Sequence, residues 1–284
     1  MKEVLVTGAS GFVGQLFCVK NKDRYIIKTV SLQNIKVKDL DLSSVDVILH
    51  LAGIAHRMEK TDDSLYYDVN YELTKELATA AKAANVGHFL FVSTIKVYGD
   101  EYELLTPDTE CRPNDAYGKS KLLAEEALKG LESEDFKVSI VRPPLIYGQG
   151  VKGNMKKLIA LVERRKYIPF GNINNLRSMV GVDNFVALLD RVIETRKSGT
   201  FLIQDTEPVS TSRLISEISK AKNINVKLIS IPRVMRFTIK KIAPEIYKRL
   251  FGSLIVDDSA TRNILNFEPP YSFEEGVRLM VKNN

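Results

Sequence analysis

The sequence is poor in cysteine, has no long apolar run, and carries no internal repeat or low-complexity tract. Cys18 and Cys111 are its only cysteines, and they form no metal-ligand pattern. Two cysteines without a secretory signal point to a reducing compartment. The opening MKEVLVTGASG passes from one lysine straight into a strand and a glycine-rich turn. That leaves no room for a signal peptide's apolar region. No stretch approaches the ~20 apolar residues of a membrane-spanning helix. The expected location is the cytoplasm, with no transmembrane segment. A basic stripe and a nucleic-acid recognition module are also missing, which argues against a nucleic-acid role.

What is present is ordinary globular material: 284 residues, 44% hydrophobic and 27% charged. That length suits one large domain or two closely joined ones. The net charge of +6 favours an anionic partner, such as a phosphorylated metabolite or an acidic lipid, without choosing between them. Positive charge is densest in 231–251, where Arg233, Arg236, Lys240, Lys241, Lys248 and Arg249 face a single Glu245. They are interleaved with Ile231, Val234, Met235, Phe237, Ile239, Ile242, Ile246, Leu250 and Phe251. The pattern has two readings: an amphipathic surface in peripheral contact with a membrane, or a basic helical cap broken at Pro232 and Pro244.

Strands alternate with helices through the first half. Lys2–Thr7, Tyr25–Val30, Val45–Leu51, Phe89–Ser93 and Lys137–Arg142 read as strands; Tyr71–Ala84 and Ser120–Leu131 read as helices. Asn34–Ser44 is too short for a full helix, so one crossover is expected to be a loop. The expectation is an α/β fold, a Rossmann-like doubly wound parallel sheet. After Gly148 the texture changes. Helices are expected at Met155–Arg165, Val182–Arg196 and Ser212–Lys222, short strands at Thr200–Ile203 and Val226–Ile231, and a polar turn region at Gly171–Asn175. This gives a dinucleotide-binding domain over 1–150, with segments near 178–205 returning to it, and a smaller mixed substrate domain over 151–284.

Gly8, Gly11 and Gly14 space a G-x-x-G-x-x-G directly after a strand and at a helix start. Glycine lets backbone approach a phosphate closely, and the helix N-terminus offers free N–H groups to a pyrophosphate. Ser10, Phe12 and Val13 complete this loop. The acidic residue that commonly ends the second strand and binds ribose has no counterpart in Lys28–Gln33. With Lys28 and Ser31 there, NADP(H) is as open as NAD(H). Asp39, followed by Leu40, is placed at the adenine edge. Tyr117 and Lys121, four apart, share one helix face. A lysine ammonium beside the phenol is expected to lower its pKa and let it trade protons with a carbonyl or hydroxyl. Thr94, at a strand end, is placed to bond the same oxygen.

These motifs resemble the extended short-chain dehydrogenases/reductases that act on nucleotide sugars, the NAD-dependent epimerase/dehydratase type, over nearly the whole chain. The carriers are TGASGFVG (7–14), HLAG (50–53), FVSTIKVYG (91–99), YGKSK (117–121), RPPLIYGQG (142–150) and LRSMVGVDN (176–184). The resemblance implies Thr94, Tyr117 and Lys121 as catalytic residues. It implies Leu51, Ala52, Gly53 and Pro143 along the cofactor, and Asn70 as a structural asparagine of the cofactor site. It implies Arg177 on the substrate's diphosphate, Asn154 as a further substrate contact, Asp257 closing the nucleotide pocket, and a homodimer through paired helices. Lys96 is placed beside the substrate. The dehydratases of this group carry an Asp–Glu pair right after the catalytic Thr; here those positions hold Ile95 and Lys96, which argues against dehydration.

Two activities stay in competition: a UDP-sugar 4-epimerase with bound NAD, and a 4-ketoreductase that releases oxidised cofactor. The missing acid after the second strand leans toward the reductase. So does Leu145, where epimerases commonly show asparagine. The nearest resemblance is to reductases of UDP-4-keto-6-deoxy-N-acetylhexosamines in bacterial polysaccharide synthesis, although Tyr98 stands where that group typically has asparagine. A non-catalytic NADP(H)-binding regulator is the third reading; such proteins often lose the tyrosine or lysine that is kept here.

Overall fold

The computed structural model describes residues 1–54 and 62–282, with the side chains of Arg233, Met235, Glu245, Ile246 and Arg249 outside the description. The chain opens β1 (Glu3–Thr7), α1 (Phe12–Asn21), β2 (Ile26–Val30), β3 (Val47–His50). Only a 3-10 turn, Val37–Asp39, lies between β2 and β3, so that crossover is short, as its length requires. Then come α2 (Asp63–Tyr67), α3 (Leu73–Ala83), β4 (His88–Val92), β5 (Leu104–Leu105), α4 (Ala116–Leu131) and β6 (Lys137–Arg142). The helix expected over Tyr71–Ala84 is shorter: Asp68–Glu72 forms a π turn, and regular α-helix begins at Leu73. The wide turn buries Asn70 and directs its amide toward residue 54.

β1, β2, β3, β4, β6 and a later strand, β10 (Gly199–Leu202), form one six-stranded sheet in the order β10-β6-β4-β3-β1-β2, parallel throughout. Its central strands are apolar on both faces, as a doubly covered parallel sheet demands. Alternate residues feed two cores. Val4, Val6, Val47, Leu49 and Leu90 join one core, while Leu5, Ile48, Phe89, Phe91 and Ile140 join the other. The winding reverses at β1, which has β2 on one side and β3 on the other. That switch point opens a crevice beyond the strands' carboxyl ends, the place where such sheets bind ligands.

The rest of the chain returns to the sheet with a helix whose Phe185, Leu188 and Val192 join the first core, and adds a third core of its own. It contains β7 (Leu145–Tyr147), α5 (Gly153–Arg164), β8 (Tyr167–Gly171), β9 (Met179–Gly181), α6 (Val182–Thr195), α7 (Thr211–Ala221), β11 (Lys227–Ser230), α8 (Arg233–Ile242), α9 (Pro244–Phe251), β12 (Ile255–Val256), α10 (Ser259–Leu265) and α11 (Phe273–Val281). Three small parallel pairs, β7 with β9, β8 with β11 and β5 with β12, stitch distant segments together. The polar turn expected at Gly171–Asn175 is preceded by a strand, β8, because Ile168 buries in the third core. Among the described residues no helix is long and apolar enough to cross a membrane.

Candidate active site

The two loops at the switch point are built around Thr7. It pairs in register with His50 across β1 and β3, and its hydroxyl bonds His50 Nδ1 at 2.7 Å. The Ala52 N–H also reaches the Thr7 hydroxyl at 3.2 Å. The loop after β1 therefore lies directly against the Leu51–Gly53 segment. Gly8 makes this possible: its φ is +70°, and a side chain would place Cβ 2.7 Å from Ala52 N. Gly14 does the same for the helix, since a Cβ there would sit 2.7 Å from Ala9 Cα. Gly11 caps α1 with no side chain, and the first turn holds no acidic residue. Its N–H groups and positive dipole end are left for an anion. Phe12 and Val13 turn their side chains to the cores, so within this loop they offer a ligand backbone only.

Asn70 sits beneath this cradle. Its Oδ1 accepts from Ile54 N at 2.8 Å, and its Nδ2 donates to Ile54 O and to Ser120 Oγ. With its amide spent in this way it shapes the cradle rather than lining it. Gly53 lies over both Asn70 and Lys121; a Cβ would be 2.9 Å from Asn70 Oδ1 and 3.2 Å from Lys121 Nζ. Asp39 is exposed in the 3-10 turn and Leu40 packs against the second core. Ser10 is exposed at the loop's tip. Lys28 does not stand free near the end of β2: its Nζ pairs with Glu3 at 2.6 Å and with Ser44. One of the two features that kept a 2′-phosphate open is thus committed elsewhere, and Ser31 remains.

Tyr117 and Lys121 lie in the first turns of α4, which Asp115 caps by accepting from Gly118 N at 2.7 Å. Gly118 lets the helix press against the loop after β4: a Cβ would be 2.8 Å from Lys96 O and 2.9 Å from Pro113 Cβ. That approach sets the Tyr117 phenol close to the Thr94 side chain. Lys121 is buried over the Phe91 ring, 4.5 Å from its centroid, and donates to Val92 O at 3.0 Å. The expectation that Lys121 lowers the tyrosine's pKa is not met. Burial pushes the Tyr117 phenol up to about 12, with the neighbouring Thr94 side chain opposing only in part. Burial likewise brings the Lys121 ammonium down to about 8. Both groups lose water, and the ammonium is aimed at a carbonyl rather than at the phenol.

Beside Thr94 a cleft of about 300 Å³ is lined by Thr94, Lys96, Pro143, Leu145, Arg177 and Lys248, among others. The structure thus brings together four residues named from sequence, Thr94, Lys96, Pro143 and Arg177. Arg177 arrives on a bridge between residues 209 and 254 and donates to Gly252 O at 3.3 Å. Asn154, exposed in the first turn of α5, is not among the lining residues, nor is Asp257. Asp257 accepts from Ser259 N at the head of α10. Tyr98 is buried under the Arg142 guanidinium, 4.7 Å away, so its departure from the related reductases falls in the core. A larger groove, about 540 Å³ and including Ala221, Tyr271 and Arg278, holds none of these groups. Among the described residues no cluster of His, Cys, Asp and Glu could hold a metal.

Sequence reasoning did not single out the network beneath α4. Glu125, one turn beyond Lys121 and fully buried, accepts from Ser93 Oγ at 2.5 Å and from Arg142 through both carboxylate oxygens. Its signal was a lone acidic residue on the inner face of a helix whose outer face is charged.

A model of the NAD dependent epimerase/dehydratase family matches residues 4–203. A UDP-glucose 4-epimerase of Vibrio cholerae is 32% identical over 98% of this chain and 94% of its own. A UDP-2-acetamido-2,6-beta-L-arabino-hexul-4-ose reductase of Pseudomonas aeruginosa is 29% identical over 78% of this chain and 58% of its own. Among solved structures, dTDP-4-dehydrorhamnose reductase of Bacillus anthracis in complex with NADP shares the fold with a TM-score of 0.79 at 21% identity, covering all of both chains.

Proposed function

The chain belongs to the NAD-dependent epimerase/dehydratase family, and from that premise we propose that it transfers hydride at C4 of a nucleotide-linked sugar, reducing a UDP-4-keto-6-deoxy-N-acetylhexosamine. The observation that carries this reading is the Tyr117 phenol set beside Thr94 of the cleft wall, with buried Lys121 one helical turn further on. A phenol held protonated up to about pH 12 is an acid, and ketone reduction needs an acid at the oxygen. Thr94 fixes that oxygen's second hydrogen bond. Arg177 supplies a planar donor fork for the diphosphate, and Lys96 lies on the same wall, paired with Asp100 at 3.1 Å. Leu145 makes part of the wall apolar.

The switch-point cradle fits a nicotinamide dinucleotide: a tight glycine loop, an uncapped helix N-terminus without acidic neighbours, and the Leu51–Gly53 floor. Gly8, Gly11 and Gly14, with the N–H groups of Phe12 and Val13, would hold its diphosphate, Asp39 and Leu40 its adenine side, and Lys121 its nicotinamide ribose. When bound, NAD or NADP supplies or takes the hydride at C4. The protein's part is alignment and proton delivery. A homodimer paired through α3 and α4 belongs to the same proposal, with Leu123 of α4 exposed and available to it.

A 4-epimerase with retained NAD is the second reading, favoured by the nearly full-length match to a UDP-glucose 4-epimerase. One experiment separates the two. Purified protein is given the UDP-4-keto sugar with NADH or NADPH, and separately UDP-glucose or UDP-N-acetylglucosamine with no added cofactor. Stoichiometric oxidation of the reduced cofactor is expected. Interconversion of C4 epimers without added cofactor would decide for the epimerase. Tyr117→Phe is expected to lose roughly 10²–10⁴-fold in turnover with dinucleotide binding intact; wild-type turnover in that variant would refute the site.

A further inference from the structure

Helix α8 is built the wrong way out for a helix that only caps a protein. Positions 234, 237, 238, 241 and 242 fall on one side of a 3.6-residue helix. Val234, Phe237 and Ile242 among them are 77%, 61% and 79% exposed. The opposite side is the one attached to the body of the protein. Arg236 donates to Asn172 O at 2.7 Å and stacks over the Phe251 ring. Lys240 lies over the Tyr247 ring, tying α8 to α9. On the outer side, Lys241 stands over the Phe237 ring at 4.7 Å. Apolar side chains and a cation therefore share one exposed face, in a segment whose sequence has six basic residues and one acidic residue.

We propose that the α8–α9 pair docks onto an anionic phospholipid bilayer. Three exposed apolar side chains on one face are what an interfacial helix inserts below the headgroups, and flanking lysines are what binds anionic lipid. A protein partner would need complementary carboxylates and shape. A bilayer needs only a continuous apolar face with cations around it, and that is what α8 presents. The α9 end of the pair reaches the cleft. Lys248 of α9, together with Ser253 and Leu254 just beyond it, lines the cleft that also contains Arg177, and the Lys248 ammonium bonds Asp100 O. The inference does not depend on which C4 reaction the site performs.

The test is vesicle flotation of the full chain. Vesicles of equimolar phosphatidylglycerol and phosphatidylcholine are expected to carry the protein upward at low salt; pure phosphatidylcholine vesicles are expected to leave at least tenfold more of it behind. A variant with Val234→Ser, Phe237→Ser and Ile242→Ser is expected to lose flotation at least tenfold while its thermal unfolding stays at the wild-type temperature. A second variant, Lys241→Glu, keeps the apolar face and the Lys240 contact with α9 and is expected to lose flotation on the anionic vesicles. Absence of wild-type flotation, or undiminished flotation in both variants, overturns the proposal. So does a wild-type dimer that the serine variant turns into a monomer, because the face would then belong to a second copy of the chain.

Discussion

Lys121 is the residue whose chemistry the fold changes most. An exposed lysine titrates near 10.4, and burial over Phe91 brings this one to about 8. Tyr117 moves the other way, to about 12. The two titrations are thus well separated, and only the lysine's falls in the working range. Below about pH 8 Lys121 is a cation and Tyr117 an acid, the state that carbonyl reduction uses. As pH rises through about 8 the ammonium is lost while the phenol stays protonated. Turnover in the reduction direction is therefore expected to fall along a single limb near pH 8, checked by kcat/KM from pH 6 to 10. A flat profile across that range would show that the lysine's charge is not used. The sequence showed the Tyr–Lys spacing and hence the shared helix face. It could not show the direction of either shift, because desolvation depends on Phe91, Val92 and Gly53, which come from other segments.

At the scale of the element, α4 is placed by two devices, one at each end of the catalytic pair. Gly118 sets how closely its first turn approaches the loop after β4. With a methyl group 2.8 Å from Lys96 O and 2.9 Å from Pro113 Cβ, backbone has to move. Gly118→Ala is expected to lower kcat by roughly tenfold or more, since displacements well below 1 Å misalign reacting groups. Dinucleotide affinity measured by titration should stay near wild type; unchanged kcat would remove Gly118 from the positioning role. Lower on the helix, Glu125 binds Arg142 and Ser93 in the interior. Glu125→Gln leaves the Arg142 guanidinium buried without its counter-charge, which costs about 3–5 kcal/mol. Denaturant unfolding is expected to show a loss of that order, partly recovered when Arg142→Met is added. A single-variant loss under about 0.5 kcal/mol, a surface-like value, would contradict the pinning role. Of these elements the sequence showed the long ones, because period and punctuation are local. β5 and β12, two residues each, exist only because Leu104 and Ile255 meet across the chain. The π turn at Asp68–Glu72 follows from where the Asn70 amide has to reach. Lys28 looked free because its partner, Glu3, is on the neighbouring strand.

For the whole molecule, the sheet that carries the site also carries an acid sensitivity. His50 ends β3 and His88 begins β4, and both are fully buried. Thr74 donates its hydroxyl to Asn70 O at 2.8 Å. His50 Nε2, 2.9 Å from that hydroxyl, must therefore be the donor, and Nδ1 accepts from Thr7. Protonating Nδ1 would force the Thr7 hydroxyl, which ties the two cofactor loops together, to turn from donor to acceptor. Ser139 likewise donates to Lys197 O at 2.6 Å, so His88 Nε2 donates to Ser139, and its Nδ1 has no partner among the described residues. Burial brings both imidazoles from 6.5 down to about 3. The sign follows from proton counts. Between pH 6.5 and about 3 the unfolded chain binds protons that the folded chain refuses, so stability is lost as pH falls through that window. For a shift of this size the loss at pH 5 is about 2 kcal/mol per histidine, or about 4 for the pair, relative to pH 7.5. Urea unfolding at the two pH values is expected to show it. His88→Gln, which removes one imidazole and leaves the Thr7–His50 tie in place, is expected to shrink the difference by about half. Equal unfolding free energies at pH 7.5 and pH 5 would mean that neither histidine is held neutral by the fold.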